Sequence, residues 1–144
     1  MQKSVFIVLL ALWLSASGCQ PASDSSTGET QERLVGTWLR DYDENGTRIR
    51  RILVLGADGR FREMSLSLGP SEDGAHHEHE GEWVYDGTNL KRRYTRMDGT
   101  PPSAPTVPFA AFQIQFTGSH EFTGTDNVRH RELRYRRVAD GTLP

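Results

Sequence analysis

Leu34-Val35-Gly36-Thr37-Trp38 is the stretch on which the fold turns. It is an apolar, β-branched and aromatic run directly after a segment nearly empty of large apolar residues. Such residues suit a pleated, half-buried strand. A glycine two places before Trp38 predicts that a neighbouring group approaches this strand closely. Moving outward toward the C terminus, turn dipeptides recur at Asn45-Gly46, Asp58-Gly59, Asp86-Gly87 and Asp98-Gly99. They supply the positive φ angles that tight hairpins require. Between them the composition and alternation predict strands near 34–41, 48–56, 60–68, 80–86, 89–97, 109–117, 120–125 and 128–138. Met64, Leu66 and Leu68 alternate with polar residues, as do Trp83 and Tyr85, and Phe112, Ile114 and Phe116, so each of these strands is expected to have one wet face. Ile52-Leu53-Val54-Leu55 is apolar on both faces, which requires a strand covered twice or strongly bent. Phe61 is out of phase with Met64, so a bulge is expected after Asp58-Gly59. About eight short antiparallel strands leave exposed edges unless they close, and closure into a small all-β barrel removes them.

Outward toward the N terminus the character changes. Lys3 precedes an apolar run at residues 5–14 that is too short to span a bilayer as a mature helix. It reads as a secretory signal peptide. The run ends in Ser15-Ala16-Ser17-Gly18-Cys19, which resembles the lipobox of bacterial lipoproteins, although Ala16 stands where an aliphatic residue, most often Leu, is usual. The resemblance implies cleavage before Cys19, a diacylglycerol thioether on its sulfur and acylation of the new amino group, palmitate being typical. Two or three acyl chains hold a protein on a membrane where one would not. Gln20 is not the Asp associated with inner-membrane retention, so the implied address is the periplasmic face of the outer membrane. Residues 20–33 are rich in Ser, Thr, Gly and charge, and are expected to form a flexible linker. The resulting division is a signal peptide at 1–18, a lipidated terminus and linker at 19–33, a barrel at 34–138 and a tail at 139–144.

The motif Gly36-Thr37-Trp38 resembles the G-x-W opening strand of lipocalin-like domains. The hairpin around Gly56-Ala57-Asp58-Gly59-Arg60-Phe61, followed by Gly81-Glu82-Trp83, is similar to the layout of small bacterial lipocalin-like lipoproteins. The resemblance implies that an Arg of the last strand packs across the Trp and closes one end of the barrel. Arg131, Arg134, Arg136 and Arg137 are candidates; with Leu133 and Tyr135 pointing inward, period two puts Arg131 and Arg137 on their face, and Arg137 is favoured. It also implies a binding protein, although eight strands can equally be filled by side chains or hold one small ligand.

Three further clusters bear on function. His76, His77 and His79, with Glu78 and Glu80, carry ligands suited to zinc, copper or nickel. Because Gly69-Pro70 and an acidic run precede them, a solvated loop entering a strand is the favoured reading over a metal site. Asp41-Tyr42-Asp43-Glu44-Asn45-Gly46 begins like a calcium loop, but the residue needed as a bidentate carboxylate is Ile52, so an acidic hairpin turn is expected. Lys91, Arg92, Arg93 and Arg96, with Arg129, Arg131, Arg134, Arg136 and Arg137, form two basic strands, read as solvated faces paired with acidic neighbours. A net charge of −2 gives no reason to expect nucleic acid. No nucleophile elbow, zinc-protease motif or phosphate loop is present in the sequence, and nothing in it calls for a cofactor. The expectation is a non-enzymatic, membrane-anchored envelope protein that binds a small apolar or amphipathic ligand. The alternative is a side-chain-filled barrel contacting an envelope protein or lipid head groups.

Overall fold

Turn chemistry and alternation produce eight antiparallel strands that close on themselves. The computed structural model describes residues 23–69, 74–103, 108–126 and 128–144. The expected signal peptide, Cys19 and residues 20–22 lie outside the described residues, as do residues 70–73, 104–107 and 127. A helix, α1 (Ser23–Leu34), leads into β1 (Gly36–Glu44), β2 (Thr47–Leu55), β3 (Arg60–Leu68) and β4 (Ala75–Tyr85). Then come β5 (Asn89–Met97), β6 (Phe109–Phe116), β7 (Glu121–Asp126) and β8 (Glu132–Val138). Each strand pairs with the next, and β8 returns to β1 through Thr37↔Val138, Trp38↔Arg137 and Leu39↔Arg136. The β1–β2 hairpin turns on Asn45 and Gly46 at φ 51° and 80°, the left-handed pair a two-residue hairpin needs.

The segment expected to be a flexible linker is helical from Ser23 onward, and β1 starts at Gly36 rather than at Leu34. The helix has no apolar stripe, so periodicity gave no sign of it. Its C-terminal end is what holds it. Leu34 is fully buried in the core, Arg33 lies 4.0 Å over the Phe116 ring and donates to the Gly118 carbonyl, and Arg137 donates to the carbonyls of Arg33 and Val35. Those carbonyls are among the acceptors that a helix end leaves unsatisfied. Helix α1 thus covers the barrel end that carries the β2–β3, β4–β5 and β6–β7 turns. The opposite end is called the open end below.

Strand β3 faces the other way from its apolar pattern. Its ladder with β2 runs unbroken from Arg48↔Leu68 to Leu55↔Phe61, so the expected bulge after Asp58-Gly59 is absent from this pairing. Phe61, Glu63 and Ser65 point inward and are buried, while Met64, Leu66 and Leu68 lie on the outer face. The bulge sits instead where Glu80 and Gly81 of β4 face β5. A side chain at Gly81 would place its Cβ 1.9 Å from the Arg93 carbonyl oxygen, so only glycine lets these strands approach.

The doubly apolar strand β2 is covered twice. Leu53 and Leu55 enter the barrel core with Trp38, Phe61, Trp83, Leu90, Phe122, Leu133 and Tyr135. Ile52 and Leu39 point outward by strand parity, yet are only 0% and 4% exposed. The tail after β8 crosses that outer face. Asp140 accepts a 2.7 Å hydrogen bond from the buried Thr37 hydroxyl, and further along the tail Leu143 and Pro144 border the same hollows as Met64 and Leu66 of β3. Burying an aliphatic side chain of this size contributes about 1.5–3 kcal/mol.

Strand β4 begins at Ala75, so His76–Glu80 belong to a strand and not to a loop. The cause is the β3 partner, which pairs Leu66↔His76, Ser65↔His77, Met64↔Glu78 and Glu63↔His79. Strand β8 begins at Glu132, later than expected. Asp126 caps the preceding turn by accepting from the backbone N–H groups of Val128 and Arg129, which leaves Arg131 outside the strand.

Candidate functional site

At the covered end, Gly36, Trp38 and Arg137 come together. The Arg137 guanidinium lies 4.2 Å from the Trp38 ring centroid. One of its nitrogens stands where a Cβ on Gly36 would come within 2.3 Å, and Gly36 itself has φ 131°. The Trp38 indole donates to the Leu34 carbonyl at 2.7 Å. Phe122 meets Trp38 edge-on at 4.7 Å and stacks on Tyr135 at 5.0 Å. Together these groups plug this half of the lumen.

The open half is polar. Alternation along β3 carries Glu63 inward beside Phe61, and alternation along β5 carries Arg92 inward between Leu90 and Tyr94. Glu63 and Arg92 are 3% and 2% exposed and are joined by a short hydrogen bond from Arg92 Nη1 to Glu63 Oε2. The other carboxylate oxygen lies 3.6 Å from Arg51 Nε and 3.6 Å from His79 Nδ1. Phe61, Phe112 and Tyr94 surround the Arg92 guanidinium at 5.3, 5.4 and 5.6 Å, so the ring faces add cation–π attraction. Burial by itself would raise the Glu63 carboxyl. The charge of Arg92, together with His79 and Arg51, outweighs burial and holds the carboxyl far below the usual range. Burial opposes the charge on Arg92, but Glu63, together with Tyr94 and Tyr135, outweighs it and keeps the guanidinium protonated. Burial pushes the Tyr94 hydroxyl up to about 12, against the opposing pull of Arg92. Burial also raises the Tyr42 hydroxyl.

The histidines do not form one set. His77 and His79 share the inward face with ring centroids 6.4 Å apart, while His76, paired to outward-facing Leu66, points to the other side. His77 Nδ1 pairs with Asp98 Oδ2 at 2.9 Å, which lowers the Asp98 carboxyl, and Asp98 Oδ1 accepts from the Glu78 backbone. Among the described residues no three His, Cys, Asp or Glu side chains converge as a metal set. Four of the nine basic residues pair closely with acidic neighbours at the surface: Lys91 with Asp86, Arg93 with Glu82, Arg134 with Glu121 and Arg131 with Glu44. Arg92 and Arg137 are sent inside by parity, the first onto Glu63 and the second onto Trp38.

Two hollows flank Pro144. One, of about 340 Å³, is bordered by Met64, His76, His77, Leu143 and Asp98. The other, of about 510 Å³, is bordered by Tyr42, Arg48, Arg50, Leu66 and Leu68. Leu143 and Leu68 are 70% and 48% exposed, so apolar side chains stand open to solvent among charged neighbours that include Asp41, Asp43 and Glu78.

The inward cluster of Glu63, Arg92, Arg51, Tyr94 and Tyr135 was not singled out from sequence, although a signal existed. Leu90, Arg92 and Tyr94 are spaced by two, as are Phe61, Glu63 and Ser65, so the core face of each strand carries a charge. No protein-family model matches the chain, and a search of curated proteins gives no match either.

Proposed function

We propose that this chain is a lipid-anchored protein of the cell envelope whose lipocalin-like barrel is filled by its own side chains and acts, without catalysis, through its surface. The anchor rests on Cys19 and the signal-like run before it, with the periplasmic face of the outer membrane as its address. What supports a filled barrel over one enclosing an apolar ligand is the occupancy of the lumen. Trp38, Phe122, Leu34, Leu53, Leu55, Leu90 and Arg92 are all essentially inaccessible, and the Glu63–Arg92 pair sits where an apolar ligand would need space. A ligand carrier needs an enclosed, mostly apolar cavity of a few hundred Å³. The hollows beside Leu66, Leu68, Leu143 and Pro144 offer instead a face for an envelope protein or for lipid head groups.

Native mass spectrometry of the full chain, purified from its own envelope and compared before and after denaturation, tests the reading. A single lipidated mass in both states is the expected result. A stoichiometric apolar molecule released only on denaturation would overturn the filled barrel. In parallel, Cys19→Ser should move the protein out of the membrane fraction, and retention there would refute the anchor.

A further inference from the structure

The corner of the barrel nearest the proposed anchor also exposes apolar side chains beside paired charges. Helix α1 runs back from Leu34 to the β4–β5 turn, where a Cβ on Gly87 would lie 3.2 Å from the Thr27 hydroxyl. Ser23, the first residue of α1, is four residues before Thr27, about 6 Å along a helix. Cys19 is four residues before Ser23, and a chain of that length spans at most about 14 Å. An acylated Cys19 therefore holds the β4–β5 corner within about 20 Å of the bilayer surface, whatever path residues 20–22 take.

On the wall beside that corner, Val84, Lys91, Arg93 and Phe109 point outward, with Lys91 opposite Val84 and Arg93 opposite Phe109 in the ladders. Phe109 is 60% exposed and Val84 49%. They border a hollow of about 230 Å³ together with Glu82, Trp83, Lys91 and Arg93. Both cations there are matched, Lys91 by Asp86 at 2.6 Å and Arg93 by Glu82. The patch is thus apolar at its centre, bordered by both signs of charge and neutral in sum.

We infer that this wall is the membrane-facing side of the anchored barrel and that it meets zwitterionic lipid head groups. The inference rests on the reading of Cys19 as the anchor. Exposed apolar and aromatic side chains flanked by Lys or Arg settle at the boundary between head groups and acyl chains. A head group with one cation and one anion finds an opposite charge for each among Glu82, Asp86, Lys91 and Arg93, whereas an anionic one meets two carboxylates as well as two cations. Strand β1 lies opposite β5 in the closed order of eight. Asp41 and Asp43 on β1, with the hollow they border beside Leu68, therefore face away from the bilayer.

Cys19 is the only cysteine, so once it is acylated a single introduced cysteine carries a nitroxide label at one chosen place. The full lipidated chain with Val84→Cys, Phe109→Cys or Asp43→Cys is reconstituted into vesicles of phosphatidylethanolamine and phosphatidylcholine. Each patch label leaves the other apolar side chain in place. Electron paramagnetic resonance then compares how readily dissolved oxygen and a water-soluble nickel chelate reach each label, a ratio that cancels differences in local exposure. A several-fold higher oxygen-to-nickel ratio at positions 84 and 109 than at 43 is expected. Equal ratios at the three positions, or the highest at 43, overturn the proposed face while leaving the anchor standing. Wild-type chain that fails to float with the vesicles overturns the anchor, and the face with it. A difference that emerges only when anionic phosphatidylglycerol is added overturns the choice of head group.

Discussion

Replacing Glu63 by Gln removes the one negative charge between Arg92 and Arg51 while keeping the shape of the side chain. Arg92 is 2% exposed and cannot turn to water, so its charge is left without a counter-ion in the barrel wall. Breaking a buried pair in this way costs about 3–5 kcal/mol, a large part of the 5–15 kcal/mol that stabilises a typical domain. For a domain of this size the loss corresponds to a drop in Tm on the order of 15–30 °C. The double variant Glu63→Leu with Arg92→Met replaces both charges by apolar groups and should recover most of that loss. Urea unfolding of the wild type, Glu63→Gln, Arg92→Met and the double variant forms a complete cycle. The pH dependence adds a second readout. The folded Glu63 carboxyl lies below its unfolded value of about 4.5, so its stabilisation is fully present above that pH. It is lost as the pH falls below 4.5 toward the depressed folded value, and this part of the acid slope should vanish in Glu63→Gln. A loss in Glu63→Gln under about 1 kcal/mol, the range of a surface pair, would refute the reasoning. An unchanged acid slope would do the same.

Other expected outcomes follow from the same contacts. Gly36→Ala drives a Cβ into the Arg137 guanidinium and strains a backbone at φ 131°, and should cost about 1–3 kcal/mol by urea unfolding. Arg137→Met keeps the stem over Trp38 but removes both hydrogen bonds to the end of α1, so far-ultraviolet circular dichroism should show loss of helix while the barrel signal persists. Deleting residues 139–144 uncovers Ile52 and Leu39, and should lower stability by about 2–5 kcal/mol and raise binding of an apolar dye. Burial holds the Tyr94 hydroxyl at about 12 against 10 when unfolded, so the folded state binds its proton longer and stability should fall as pH rises from 10 to 12. Tyr94→Phe should flatten that slope in pH-dependent urea unfolding.

The strands were legible because turn chemistry and alternation are local properties. Asn45-Gly46 fixes one hairpin whatever the rest of the chain does, and β2, β3 and β5 lie within a residue of where alternation places them. The inward face of β3 was not legible. Sequence pattern assigns Met64, Leu66 and Leu68 to the core, but the open half of this lumen is polar and the outer wall beside it carries an apolar tail. Each inverts the usual sense of inside, and both depend on residues far away in sequence, Arg92 for Glu63 and Pro144 for Leu66. Helix α1 escaped for a related reason. Its stability comes from Arg137, a hundred residues distant, rather than from a stripe of its own. The same distance kept the Arg51, Arg92 and Tyr135 cluster out of view, since three strands must register before its members meet.

The last strand and the tail carry a burden out of proportion to their length. Among the described residues strand β8 is the one partner β1 has besides β2, its Arg137 clamps the helix, and Asp140 beyond it holds the Thr37 hydroxyl. A chain made from the N terminus therefore cannot complete its closing contacts until β8 and the segment beyond it have emerged. Until then β1 and β7 each present an unpaired edge, the kind that templates aggregation. Such long-range closure is slow to form. A chain that ends early at its C terminus is thus not a slightly shorter barrel but an open sheet with two adhesive margins, and any system that escorts this protein must shield those margins for as long as the end of the chain is missing.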